Sequence, residues 1–277
     1  MKKPSDGASI SSQELVIDWF NWVLRLTLVG IGLLVLFWRL GLDQRLALYL
    51  SQQPGGFPFA ASSNYEYIFH KIPKVISGSV FIGMLLLAIF LLPWCNWFER
   101  ISPTFSCQRL QLPIIAKPRV WLRRFPAGTA ASLWVTILAM VFAAEMIGHL
   151  KRASSVDCPI QIQVFGGHKV VALSDIHEPF PHFGEGGHCW PGGHSITGFL
   201  FVACFFGFKR MGMNKAARIS LIVALVYGNF LGLTQVLRGQ HYLSHQLWSA
   251  YLVWVFSFIF FIFFGFLQAL FEKINDK

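Results

Sequence analysis

The sequence predicts an all-α, polytopic membrane protein with six transmembrane helices and a long outer loop before the fourth. Three observations lead there. Of 277 residues, 55% are hydrophobic and only 13% charged, about half the charge of a soluble domain of this size. Uncharged apolar stretches recur at close to the ~20 residues that a bilayer core requires. The basic residues between those stretches fall mostly on one side.

The first span covers 19–38, with Arg25 near its start, where its long stem reaches the interface. No Ala-x-Ala cleavage signal follows, so this segment reads as a retained anchor rather than a removed signal peptide. The second span covers 75–98, with Pro93 near its end, and the third 125–144. The fourth, 195–213, reaches spanning length only if its helix runs on through Met213. The fifth covers 219–237 and the sixth 247–271. Lipid offers the backbone no hydrogen bonds, so each span is expected to be helical. Between spans one and two, 43–51 reads as a short interfacial helix. Between spans three and four, 149–193 is long, polar and glycine-rich. There is no internal repeat, and 1–277 reads as a single domain.

The formal charge of +10 raises nucleic acid as a partner, but its distribution argues otherwise. Lys2, Lys3, Arg100, Arg109, Lys117, Arg119, Arg123, Arg124, Lys209, Arg210, Lys215, Arg218, Lys273 and Lys277 all fall on one side of the expected spans. Eight basic residues fall on the other side, in longer loops. The charge is therefore a topology signal that puts both termini in the cytoplasm, with anionic lipid as its natural partner. Cysteines 95, 107, 158, 189 and 204 are too scattered for a disulfide scaffold or a Cys-x-x-Cys zinc site.

With this topology Lys151, His194, Arg238 and His241 all face one compartment at one membrane depth, although they come from separate stretches. Pro191-Gly192-Gly193-His194 leads into an apolar run, so it delivers the chain into a helix. The unpaired N–H groups at a helix start form a seat for an anion, and Gly192 and Gly193 allow close approach. His245 follows His241 at i+4, within ring-to-ring hydrogen-bond reach on a helix. Taken singly, each motif also reads as an interfacial turn. A His-x3-His pair also suits zinc, but no Glu follows the first histidine, and no metal or other cofactor is expected.

Lys151 to Pro159, Pro191 to His194 and Thr234 to His245 together resemble the membrane-bound type 2 phosphatidic acid phosphatases. Their three blocks are Lys-x6-Arg-Pro, Pro-Ser-Gly-His and Ser-Arg-x5-His-x3-Asp. In this sequence the first block has Cys158 for its arginine, and the second has Gly192 for its serine. The third has Thr234 and Gln235 for Ser-Arg and His245 for its aspartate. The resemblance covers about 145 to 255 and extends to the six-span layout.

What the resemblance implies is hydrolysis of a phosphate or diphosphate ester on a membrane lipid, without metal. His241 would attack phosphorus and form a phosphohistidine. His194 would protonate the leaving oxygen and then assist water. Lys151 and the Gly192 and Gly193 amides would neutralise the phosphoryl oxygens. With Cys158 and Gln235 in arginine positions, Arg238 is the replacement clamp and Arg152 a second cation beside Lys151. A neutral His245 would accept the His241 Nδ1 proton without adding charge. Asp157, Asp175, Glu178 and Glu185 are the carboxylates available to supply it.

In an oxidising periplasm Cys158 and Cys189 either form a disulfide tying Lys151's segment to His194's or stay as free thiols. Glu145 and His149 read as a helix-end pair, and His168, His177, His182 and His188 as solvated loop residues. The resulting expectation is a bacterial inner-membrane enzyme with a periplasmic site and no obligate protein partner. Polyprenyl diphosphate, phosphatidylglycerol phosphate and lipid A phosphate are the candidate substrates. A lipid phosphotransferase using the same site and a non-enzymatic metal or haem handler are the two alternatives.

Overall fold

A computed structural model of the chain describes residues 12–90, 129–172 and 181–275. Their secondary structure is helical apart from two isolated β-bridges, Ser154 with Phe183 and Ile162 with Lys169. Helix α1 (Ser12–Leu40) contains the first expected span, and α2 (Leu42–Ser51) falls where an interfacial helix was expected. Gly41 separates them with a left-handed φ of 55°, which glycine adopts without strain. The chain bends by 58° at this point. Helix α3 (Ser63–Phe90) begins at Ser62, whose hydroxyl accepts from the Tyr65 amide at 3.2 Å, and it carries a π-helical turn, Tyr67–Lys71.

Residues 91–98 of the second span and 125–128 of the third lie outside the described residues. So do Cys95, Cys107, Lys2, Lys3 and Lys277, the six arginines and lysines from Arg100 to Arg124, and Asp175, His177 and Glu178.

Helix α4 (Thr129–Ala153) runs well past the expected end of its span at 144, so Lys151 sits in its last turn rather than in a loop. Helix α5 (Gly193–Phe199), a 3-10 turn (Leu200–Val202) and α6 (Ala203–Arg210) occupy the expected fourth span in three pieces, ending before Met213. Helices α7 (Asn214–Leu237) and α8 (Leu243–Asn275) follow. Among the described residues, α3, α4, α7 and α8 are each long and apolar enough to cross a membrane, and the bent α1–α2 pair makes a fifth if taken as one span.

The α5–α6 stretch lies at the centre. Phe199, Val202, Ala203, Phe205 and Phe206 are buried against Val135, Ala139, Met140 and Ile147 of α4, Ala217 and Ala224 of α7, and Val253, Trp254 and Phe261 of α8. Helices in lipid gain little from the hydrophobic effect and associate through close packing at small residues. Gly198 and Gly228 supply such a contact, since a Cβ on Gly198 would lie 2.7 Å from the Gly228 Cα. The outer faces stay apolar where lipid would cover them, with Val75, Leu86, Ile222, Val226, Phe263 and Phe266 exposed.

A second cluster closes one end of the bundle. Ala47 and Leu50 of α2 pack with Phe57, Ile162, Phe165, Val236 and Tyr242. The Asp43 carboxylate accepts from the Ser244 amide at 2.9 Å, which satisfies a free N–H at the head of α8. The segment after α4 is tied to the α7–α8 junction by the Ile160 amide, which donates to the Gly239 carbonyl at 2.9 Å. The end of the bundle that carries the candidate residues is thus covered and held.

Candidate active site

Lys151 reaches from the last turn of α4 into the segment that leads to His194. Its Nζ donates to the carbonyls of His188 at 2.7 Å and Pro191 at 3.2 Å. An ammonium has three donors, so one remains for a ligand. Gly193 lies directly beneath its stem, and a Cβ there would sit 3.3 Å from the Lys151 Cε.

Gly192 requires a correction. Its amide donates to the His245 carbonyl at 3.3 Å, and its carbonyl accepts from the hydroxyls of Ser195 at 2.7 Å and Ser249 at 3.2 Å. That N–H fastens the loop to α8 instead of facing an anion, so the amides open to a ligand begin at Gly193.

His194 is buried in the first turn of α5. Its Nε2 lies 3.0 Å from the Phe69 carbonyl, which can only accept, so the proton belongs on Nε2. Nδ1 is buried and has no hydrogen-bond partner among the described residues. The His70 ring lies against that of His194 with centroids 4.4 Å apart.

Arg238, buried at the end of α7, donates from Nη1 to Gln235 Oε1 at 3.3 Å and comes within 3.5 Å of His70 Nδ1. Its Nη2 pairs with Glu66 at 3.3 Å, and Nε is buried without a partner. The guanidinium therefore lies against Gln235, the residue standing where the sequence motif calls for arginine.

His241 precedes α8 rather than lying on it, because that helix begins at Leu243. The expected pairing with His245 therefore does not form. An i,i+4 contact needs both residues on one helix, and these rings are tilted with centroids 5.8 Å apart. What faces His241 Nδ1 is the sulfur of Cys189, at 3.4 Å. Cys189 is joined to Cys158 by a disulfide, with Cα atoms 5.2 Å apart. Burial holds the His241 imidazole well below its ordinary pKa, and the nearby His245 and Lys151 add to the effect.

The model of the PAP2 superfamily matches residues 131–269, from α4 into α8. This chain belongs to the PAP2 superfamily. The match includes Lys151, Gly192, Gly193, His194, Arg238, His241 and His245, and it leaves α1 to α3 outside. It supports a phosphatase-type function acting on a phosphate ester. No curated protein and no solved structure matches the chain.

Around this candidate site, the remaining candidates separate. Cys158, Cys189 and His241 bring ligand atoms within 4.8 Å of one another, but the disulfide consumes both thiols, and a metal would need them as thiolates. Asp157 is paired with Lys169 at 2.5 Å. Glu185, Arg152, Glu145, His149, His168, His182 and His188 are exposed. Asp157 and Glu185 thus contribute no contact to His241 that would replace the missing aspartate.

Three contributors were missed in the sequence: Glu66, the Phe69 carbonyl and His70, all on α3. They form no short motif with the other blocks. One signal was present, however, because the expected topology puts the start of the second span at the same membrane depth as His194 and His241.

Proposed function

We propose that this PAP2 protein is a lipid phosphate phosphatase of a bacterial inner membrane, with six spans, both termini cytoplasmic and its site open to the periplasm. The observation that carries the reading is convergence. Lys151 from α4, His194 from α5, and Arg238 and His241 from the α7–α8 junction are gathered at one end of an apolar bundle. Two cations and two imidazoles in a site of low dielectric suit a phosphoryl group, whose charge they neutralise as the leaving bond breaks.

In the proposed reaction, His241 attacks phosphorus through Nε2, since Nδ1 faces Cys189. A P–N bond forms and the bond to the lipid oxygen breaks. His194 enters this step as the imidazolium and gives its Nδ1 proton to that oxygen, while its Nε2 proton stays on the Phe69 carbonyl. Water then attacks the phosphohistidine while His194 Nδ1 takes up the water's proton, releasing inorganic phosphate and returning His194 to the imidazolium and His241 to the neutral imidazole. Lys151, Arg238 and the Gly193 amide hold the phosphoryl oxygens. Polyprenyl diphosphate, phosphatidylglycerol phosphate and lipid A phosphate are the proposed substrate classes, with the acyl or prenyl chains lying in the bilayer.

Phosphate release from a panel of these lipids in detergent, with and without EDTA, tests this directly. Turnover should persist in EDTA and stop with vanadate. His241→Ala and His194→Ala should each remove nearly all of it, whereas His168→Ala should change little. Near-normal turnover by His241→Ala would sink the nucleophile assignment. Loss of substrate only when a second lipid is supplied as acceptor would mark a phosphotransferase. Activity abolished by chelation, with metal bound in stoichiometric amount, would mark a metal-dependent protein.

A further inference from the structure

The π-helical turn Tyr67–Lys71 of α3 lies outside the residues matched by the family model and has no step in the reaction above. Such turns insert one extra residue into a helix and are found frequently at functional sites. This one brings three groups to bear on two residues of other elements. Glu66, just before it, meets Nη2 of Arg238 at 3.3 Å. The Phe69 carbonyl accepts from His194 Nε2 at 3.0 Å. His70 lays its ring against His194 and holds Nδ1 within 3.5 Å of Arg238 Nη1.

We propose that His70 is the positioning residue that couples the proton-transfer histidine, His194, to the phosphate clamp, Arg238, with Glu66 holding the guanidinium from its other end. The proposal rests on the phosphatase reading and deepens it. Two physical requirements are met by the same turn. His194 must keep its proton on Nε2 and its Nδ1 free; the Phe69 carbonyl fixes the first, and the face of His70 restrains the ring from turning out of that bond. Arg238 must present a planar fork in a fixed plane, because the gain from a guanidinium lies in its geometry. Gln235 and Glu66 anchor its two Nη groups, and the His70 nitrogen stands beside one of them. The buried Nε–H and the second Nη2–H are then the donors left for a phosphoryl oxygen.

His70→Phe and His70→Asn separate the two roles. Phenylalanine keeps a ring face for His194 and removes the acceptor beside Arg238, whereas asparagine keeps an acceptor in the Nδ1 position and removes the face. Each is measured in the full-length protein in detergent, using a short-chain lipid phosphate that the wild type hydrolyses, with orthovanadate binding as a second readout. His70→Phe should raise KM and weaken vanadate binding about tenfold, the scale of one lost hydrogen bond to a charged group, with kcat nearly unchanged. His70→Asn should instead lower kcat about tenfold with KM and vanadate binding nearly unchanged. Glu66→Gln should follow the KM pattern.

A merely structural residue would move both parameters together, so identical profiles for the two variants would overturn the proposal. So would a His70→Ala variant with wild-type kcat and KM; if one substitution prevents folding, the other set against His70→Ala decides. Wild type and His241→Ala are run alongside. Turnover in the first and none in the second keeps the phosphatase reading standing whatever His70 does. If the wild type releases no phosphate, that reading fails, and vanadate binding judges the His70–Arg238 coupling alone. No vanadate binding by the wild type would overturn both.

Discussion

The sulfur of Cys189 stands 3.4 Å from Nδ1 of His241, in the place where the sequence motif leads one to expect a carboxylate or a second imidazole. A disulfide sulfur carries no charge and accepts a hydrogen bond only weakly, so it fixes the ring without adding basicity. It also connects His241 to two separate stretches. Cys158 follows Lys151 on the same side of the bundle, and Cys189 leads into His194, so one covalent link joins the strand of chain after α4 to the head of α5.

Breaking that link should therefore weaken both fold and activity. The disulfide closes a loop with a sequence separation of 31, for which chain-entropy arguments give about 3.7 kcal/mol of stabilisation. Cys158→Ser should lower the midpoint of thermal unfolding in detergent, and dithiothreitol should lower the wild type's midpoint to a similar level. Unfolding curves that ignore both treatments would show that the cross-link has no structural part.

Acid dependence follows from His241. Burial disfavours its charged form, so its folded pKa lies well below the value in the unfolded chain. The ring then stays neutral, and able to attack, below the ordinary histidine value of about 6.5. The acid limb of kcat/KM should accordingly fall below that pH. The matching stability is fully present above about 6.5 and is lost as the pH drops, because the unfolded chain takes up the proton first. An acid limb centred at or above 6.5 contradicts this account.

Lys151→Met removes a positive charge and two bonds to the carbonyls of His188 and Pro191. Loss of one preorganised donor for a developing oxyanion lowers rates by roughly 10²–10³-fold, and kcat/KM should fall within that range. Arg152→Met, one residue on but exposed, should remain within about twofold of wild type, since surface changes of this kind are worth only ~0.5 kcal/mol. Kinetics of the two variants side by side give the answer.

One helical turn after His194, Gly198→Ala should act through packing. The new Cβ would press on Gly228 of α7 at 2.7 Å, backbone against backbone, with no flexible side chain to give way. Overpacking of this sort costs about 1–3 kcal/mol. Because α5 carries His194, activity should drop together with thermal stability. Unchanged unfolding with lost activity would point instead to a direct role for that position.

The individual helices were legible because their signals are local. Apolar runs of spanning length located α1, α3, α4, α7 and α8, and Gly41 with the polar-apolar mix after it located α2. The stretch expected as the fourth span was the least legible: it is broken at Leu200–Val202 and buried on nearly every side, so neither length nor a lipid-facing stripe marks it. The end of α4 was placed too early because its apolar run stops at Ala144, although a helix with exposed polar side chains continues past the apolar part without penalty.

For the candidate site, what the amino-acid order alone determined was which groups have the chemistry and the expected topology to meet: Lys151, His194, Arg238 and His241. Pairings across elements were decided only by the tertiary structure. Contact between the Phe69 carbonyl and His194, between Glu66 and Arg238, and between Cys189 and His241 spans 52 to 172 positions of chain. The His241–His245 pair shows the same limit at short range, since spacing means proximity only if a helix covers both residues, and here the helix starts two residues too late. Sequence spacing encodes periodicity along one helix, whereas which faces meet depends on the bends at Gly41, the π-turn and the α7–α8 junction, each set by packing among several elements at once.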